Sequence, residues 1–109
     1  MTLLGEVEQL VLLAVLRLGE SGYAVTVRDE IRDRADVTLS RGTVYITLDR
    51  LERLGYVRSW FADPTPERGG KAKRYFAIER AGLAVLRENT RAVERLRQGT
   101  SLAPARGRN

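Results

Sequence analysis

From residue 5 onward, apolar side chains recur at spacings of three and four. Val7, Leu10, Val11, Ala14 and Leu18 fall on one stripe, which is the period of an amphipathic helix. Leu12, Leu13, Val15 and Leu16 fill most of the remaining circumference. The helix over about Gly5–Leu18 is therefore predicted to be buried on more than one side, at the centre of a small bundle or against another chain. Gly19 and Gly22 end it. A second helix is predicted to start at Thr26 as N-cap, with Asp29 and Glu30 in its first turn, where the helix dipole favours anions. Val27 and Ile31 face inward, and the helix ends near Ala35 or Asp36. The following "VTL" is compatible with a brief strand.

"SRGTVYITLDRLERLGYV" gives the clearest helix. Ser40 is its N-cap, Val44, Leu48 and Leu51 are its buried face, and Gly55 stops it at the C′ position. "YVRSWFAD" and "KAKRYFAI" then alternate as strands do, separated by "PTPERGG", whose composition is that of a turn. "ERAGLAVLRENTRAVERLRQG" is a last helix, with Leu83, Leu86, Thr90 and Val93 at heptad-like spacing and Leu96 beside them. The order helix, helix, helix, hairpin, helix predicts a mainly α fold with a small β-hairpin (α+β), the winged helix-turn-helix plan. The expected division is a winged domain over residues 1–78, a C-terminal helix over 79–98 and a disordered tail over 99–109.

Composition narrows the function. A chain of 109 residues with 43% apolar and 30% charged positions is one domain, or one domain with an added helix. It has no Cys and no His. Disulfide frameworks, thiolate metal sites and the commonest general base are therefore missing. No pair of carboxylates has a spacing that forces a shared site on the predicted helices, so the chain is not expected to be an enzyme or to hold a cofactor. The longest apolar run, Leu10–Leu16, is too short to cross a bilayer, and Glu6, Glu8 and Arg17 flank it in the wrong order for a secretory signal. A cytoplasmic protein with no membrane partner is expected.

The net charge is +5, and every cation except Lys71 and Lys73 is Arg, whose planar fork suits phosphate oxygens and guanine edges. The excess is concentrated: residues 40–75 carry eight cations against four anions. On the third helix a step of 100° per residue sends Gly42, Ile46, Asp49, Arg50 and Arg53 outward, with Thr43 and Tyr45 beside them. Arg41, Thr43, Tyr45 and Ile46, near the N-terminus, are candidates for contact with bases or phosphates, Ile46 against a thymine methyl; Arg50 and Arg53 are candidates for phosphates. The competing reading is a solvated face exchanging salt bridges.

"PTPERGGKAKRYF" invites two readings. As a phosphate loop of the G-x-x-x-x-G-K-[ST] type it fails twice, with Thr65 in place of the first Gly and Ala72 in place of the hydroxyl residue. As a wing it has Gly69 and Gly70 for the chain reversal, Pro64 and Pro66 for stiffness, and Arg68, Lys71, Lys73 and Arg74 at or near the tip to meet a phosphate backbone. The plain alternative is a flexible, solvated hairpin.

Three stretches, "LGEVEQLVLLAVLRLGESGYAVTVRDEI", "LSRGTVYITLDRLERLGYVRSW" and "PTPERGGKAKRYFAIERAG", together resemble the PadR-like transcriptional regulators, over about Leu4–Leu96. The resemblance implies a homodimeric winged-helix repressor whose last helix pairs with that of the other subunit and often meets its first helix. It implies DNA contacts from Ser40, Arg41, Gly42, Thr43, Tyr45 and Thr47 on the third helix and from Arg68, Lys71 and Lys73 on the wing. The chain departs from the family pattern at Ile46, where Thr or Pro is frequent, so an operator sequence cannot be borrowed. Its C-terminal region matches the compact subgroup. Many relatives sense small aromatic molecules, some through a Trp on the last helix, but here Glu79–Gln98 has no aromatic residue and Trp60 lies in the first wing strand.

The expectation is thus a dimeric regulator, a repressor that occludes a promoter at a palindromic duplex site with half-sites about one helical turn apart. The dimer interface is expected at Leu10, Leu13, Leu83, Leu86, Thr90 and Val93, with an apolar pocket there as the candidate effector site. The rival readings are a winged-helix adaptor that binds protein instead of DNA, and an RNA-binding wing.

Overall fold

The computed structural model describes residues 1–62 and 72–103. Four helices and one hairpin follow in the order α1 (Glu6–Leu18), α2 (Ala24–Ala35), α3 (Arg41–Arg53), β1 (Val57–Phe61), β2 (Arg74–Ile78) and α4 (Arg80–Arg97). The α+β architecture matches expectation, and the four helices and the two hairpin strands are present. No strand forms at Val37–Leu39.

α2 starts two residues before the predicted cap: Tyr23 is its N-cap, and Thr26 is the third helical residue. The Thr26 hydroxyl instead reaches back to accept the Tyr23 N–H at 2.9 Å. The segment before α2 is fixed by the sheet, since Phe76 N–H donates to the Gly22 carbonyl at 2.8 Å. Gly22 thereby forms an isolated antiparallel bridge with Phe76 at the edge of β2, and α2 begins shortly after it. Asp29 and Glu30 lie in its second turn as a result.

β1 and β2 are antiparallel, with Val57 opposite Ile78, Ser59 opposite Phe76 and Trp60 opposite Tyr75. Their alternation divides the side chains between two faces. Phe76 enters the core, where it meets Val11, Leu12 and Val15 of α1, Val27 of α2, and Val44, Leu48 and Leu51 of α3, all fully buried. Each such side chain contributes roughly 1.5–3 kcal/mol by leaving water, so α3 is held in place from below by the same residues that predicted its inner face.

α4 packs on this body through Gly82, Val85, Leu86 and Asn89. That face is turned by about one position from the predicted Leu83–Leu86–Thr90–Val93 stripe. Asn89 is buried, accepts the Leu4 N–H at 2.9 Å and donates to the carbonyls of Thr2 and Val85, both at 2.8 Å. Every polar group of its amide is paired, which is why a polar residue is tolerated there. Beyond Asn89, Val93 and Leu96 are 61% and 83% exposed.

Candidate nucleic-acid interface

The N-terminus of α3 is built by its cap. Ser40 has extended backbone angles, and its Oγ accepts the Thr43 N–H at 3.0 Å while donating to Thr43 Oγ1 at 3.0 Å. With Val44, Leu48 and Leu51 inward, Arg41, Gly42, Thr43, Tyr45 and Ile46 are left exposed on the opposite side. Ile46 is 70% exposed, an apolar residue that the fold itself does not use. At Gly42 an added Cβ would meet only Ser40 Oγ, at 3.9 Å. Internal packing therefore does not demand glycine there; the missing side chain leaves room for something outside to approach the backbone.

Of the residues expected on this surface, Thr47 is placed differently and Arg50 is in place but paired. Thr47 is only 8% exposed and donates its hydroxyl to the Thr43 carbonyl at 2.8 Å. It lies one turn past Val44 and beside Leu48, on the inner flank, so it supports the helix and does not face outward. Arg50 is exposed but engaged, donating to Glu8 Oε2 at 2.6 Å. Arg53 likewise pairs with Asp49 at 3.2 Å. Among the described residues Arg41 makes no ion pair, which leaves it as the uncommitted cation of the helix.

The root of the wing is gripped from both faces. On the inner face Arg74 lies between the Tyr45 and Phe76 rings, its guanidinium carbon 5.4 and 4.9 Å from their centroids. It donates to the Tyr45 hydroxyl at 2.7 Å, to Ser59 Oγ at 3.1 Å and to Glu52, and it stands 3.5 Å from Asp49. Burial works against its charge, but the hydrogen bonds with Tyr45 and Glu52 outweigh that and hold its pKa above the usual value. On the outer face Lys73 donates to the Tyr23 hydroxyl at 3.0 Å and lies 4.3 Å from that ring's centroid. Tyr75 meets Tyr23 edge-on at 5.3 Å and stacks on Trp60 at 6.1 Å. The consecutive cations Lys73, just before β2, and Arg74, its first residue, thus fasten the hairpin to the start of α2 and to α3. Neither is a loose tip cation, as the sequence had suggested for both. Arg68 and Lys71 lie outside the described residues.

A second surface runs between α1 and α4. Leu13, Leu16, Leu83 and Thr90 border an open apolar groove with Leu86 at its base and Arg87 and Arg91 on its rim. Four of the six residues expected at a dimer interface meet here: Leu13, Leu83, Leu86 and Thr90. Leu86 is almost wholly buried in the chain's own core, so it offers the groove only a floor. Leu10 belongs to a different groove, between α1 and α2, which shares Leu13 and Leu16 with the first. The pocket expected from Leu10, Leu13, Leu83 and Leu86 is therefore two grooves on either side of the exposed α1 ridge. Val93 lines neither and extends the exposed stripe along α4.

No helix among the described residues is long and apolar enough to cross a membrane. Solved structures share this architecture. A transcriptional regulator from Clostridium thermocellum superposes with a TM-score of 0.69 at 20% identity, covering 84% of this chain and 85% of that one. A PadR family transcriptional regulator from Eggerthella lenta gives 0.69 at 27% identity, over 84% and 77%. A PadR family transcription regulator from Clostridium difficile gives 0.66 at 20% identity, over 85% and 95%. Comparison with curated proteins gives no match. The model of the transcriptional regulator PadR-like family matches residues 12–88, a span that runs from α1 through α3 and the wing into α4. The three-helix body, the hairpin clamped beside α3 and that match together make this chain a member of the PadR-like family of transcriptional regulators, and not an enzyme.

Proposed function

We propose that the chain works as a homodimer that reads a palindromic duplex through α3 and grips the flanking backbone with its wing, repressing transcription by occluding a promoter. The observation that carries the reading is the exposed set at the start of α3. Arg41, Gly42, Thr43, Tyr45 and Ile46 combine an uncommitted cation, a gap for close approach, two hydroxyls and one apolar contact. These are the means by which a helix N-terminus reads a major groove: cation and hydroxyls for phosphates and base edges, Ile46 for a thymine methyl. Ser40, whose hydroxyl caps the helix, would offer its backbone and position Thr43. Arg50 would reach a phosphate only by leaving Glu8. Arg68 and Lys71 would add wing contacts that supply affinity and little sequence information, and Lys73 would join them only by leaving Tyr23.

The dimer reading is supported by the exposed Leu13, Thr90, Val93 and Leu96, an apolar ridge and stripe that a monomer leaves in water. α4 would then serve as the dimerisation helix, and the α1–α4 groove would take a small apolar effector that releases the operator. Selection of bound duplexes from a random pool tests the function. A palindromic consensus with half-sites about one helical turn apart supports it. No enrichment by a natively folded protein at low ionic strength contradicts it and leaves the protein-binding adaptor; preferential capture of structured RNA would favour the RNA-binding wing.

A further inference from the structure

We infer that Arg74 is a positioning residue of the reading surface: it orients the Tyr45 hydroxyl so that its hydrogen points away from the protein, toward an acceptor on the bound duplex. The inference rests on the proposed DNA-reading role of α3 and adds a specific donor to it.

The chemistry follows from what each group can do. A guanidinium only donates hydrogen bonds. At 2.7 Å from the phenol oxygen, Arg74 Nη1 must therefore use that oxygen as an acceptor. The phenol hydrogen then turns to the other side of the oxygen, and among the described residues it has no acceptor there. Tyr45 is 42% exposed, on the flank of α3 that faces the wing and next to the outward Ile46. A hydroxyl that already accepts from a charged donor is a better donor in turn. The arrangement thus presents one oriented O–H to a phosphate oxygen or to the acceptor edge of a base.

Arg74 is held in this pose by more than one contact. Glu52 takes Nη2, Ser59 takes Nε, and Ser59 in turn donates to Glu52 at 2.8 Å. Phe76 lies against the guanidinium, and Tyr45 meets Phe76 edge-on at 6.5 Å. The same pose pairs Glu52 and approaches Asp49, the two carboxylates that α3 would otherwise turn toward phosphates. With its fork spread over three partners, Arg74 is not placed to contact DNA itself.

The test is duplex affinity against salt concentration for the wild type, Arg74→Lys, Tyr45→Phe and the double variant, with near-ultraviolet circular dichroism to confirm the native fold. Lysine keeps the charge but cannot serve Tyr45, Glu52 and Ser59 together. Each single change is expected to weaken binding about tenfold, the combined effect of one lost hydrogen bond in each of the two subunits, with the slope of log affinity against log salt unchanged. The double variant is expected to bind about as well as either single one, because both changes remove the same oriented donor. Multiplying losses or an unaltered affinity would overturn the assignment. Should Arg74→Lys fail to fold, Tyr45→Phe carries the test alone, and unchanged affinity refutes it. Failure of the wild type to bind any duplex refutes the DNA reading itself, a different and recognisable outcome.

Discussion

Glu8, at the start of α1, and Arg50, on the outer flank of α3, are joined by a 2.6 Å hydrogen bond between Oε2 and Nε. The other carboxylate oxygen of Glu8 accepts the Gly5 N–H at 2.9 Å. One side chain therefore caps the first helix and ties it to the third. The Gly5 N–H, more than the Arg50 guanidinium, holds the Glu8 carboxyl below its usual pKa, with partial burial acting the other way. A carboxylate whose pKa is lowered by folding stabilises the native state above its unfolded value and loses that contribution as pH falls through the folded value. Urea unfolding between about pH 3 and pH 7 should show part of the acid destabilisation below about 4.5 coming from Glu8. Glu8→Gln should be less stable than the wild type at neutral pH and lose less on acidification. Parallel pH curves for the two proteins would contradict this.

Gly82 and Tyr56 set how closely α4 approaches the wing root. A Cβ at Gly82 would collide with the Tyr56 carbonyl oxygen and press on Ile78 Cγ1, and that same carbonyl accepts the Glu79 N–H at 2.9 Å. Neither backbone group can yield without shifting α4 against the hairpin. Gly82→Ala, ordinarily favourable within a helix, should here destabilise the fold by roughly 1–3 kcal/mol. The denaturant midpoint should fall with little change in slope, and a midpoint at or above that of the wild type would show that the contact is slack.

Val93 and Leu96 project from the last turns of α4 with little cover from their own chain. Leu96→Glu should leave the stability of an isolated protomer within about 0.5 kcal/mol, as surface changes do. If the stripe is the dimer contact, Leu96→Glu and Val93→Asp should convert a dimer to a monomer in sedimentation equilibrium while helix content stays constant. Duplex affinity should fall with them, because a monomer engages one half-site. A dimer that survives both changes would place the interface elsewhere.

How far the sequence was legible depended on whether a residue's partners were near it in the chain. α3 could be read from end to end, because Ser40, the Val44–Leu48–Leu51 spacing and Gly55 are local signals of cap, face and stop. The inner face of α4 could not. Two of its four positions are Gly82 and Asn89, which carry no hydrophobic signal; one is chosen for close approach to Tyr56 and the other for partners more than eighty residues away. The visible Leu83–Val93 spacing marked the outward face instead. Thr26 looked like a cap because the Gly22–Phe76 bridge that starts α2 early is a long-range contact. Arg74 and Lys73 read as wing cations for the same reason: Glu52, Tyr45 and Tyr23 are distant in sequence. Thr47 follows from the helical period itself, since a residue three past Val44 and one before Leu48 shares their side.

The proposed reading of duplex DNA by α3 rests on Arg41, which makes no ion pair among the described residues. The most direct measurement is fluorescence anisotropy of a labelled duplex, titrated at several salt concentrations with the wild type and with Arg41→Ala. The account predicts salt-dependent binding, a log–log slope reduced by about 1 for each Arg41 removed, so about 2 for a dimer, and weaker affinity throughout. Binding by Arg41→Ala with the affinity and slope of the wild type, or no binding by the wild type at low salt, would contradict it.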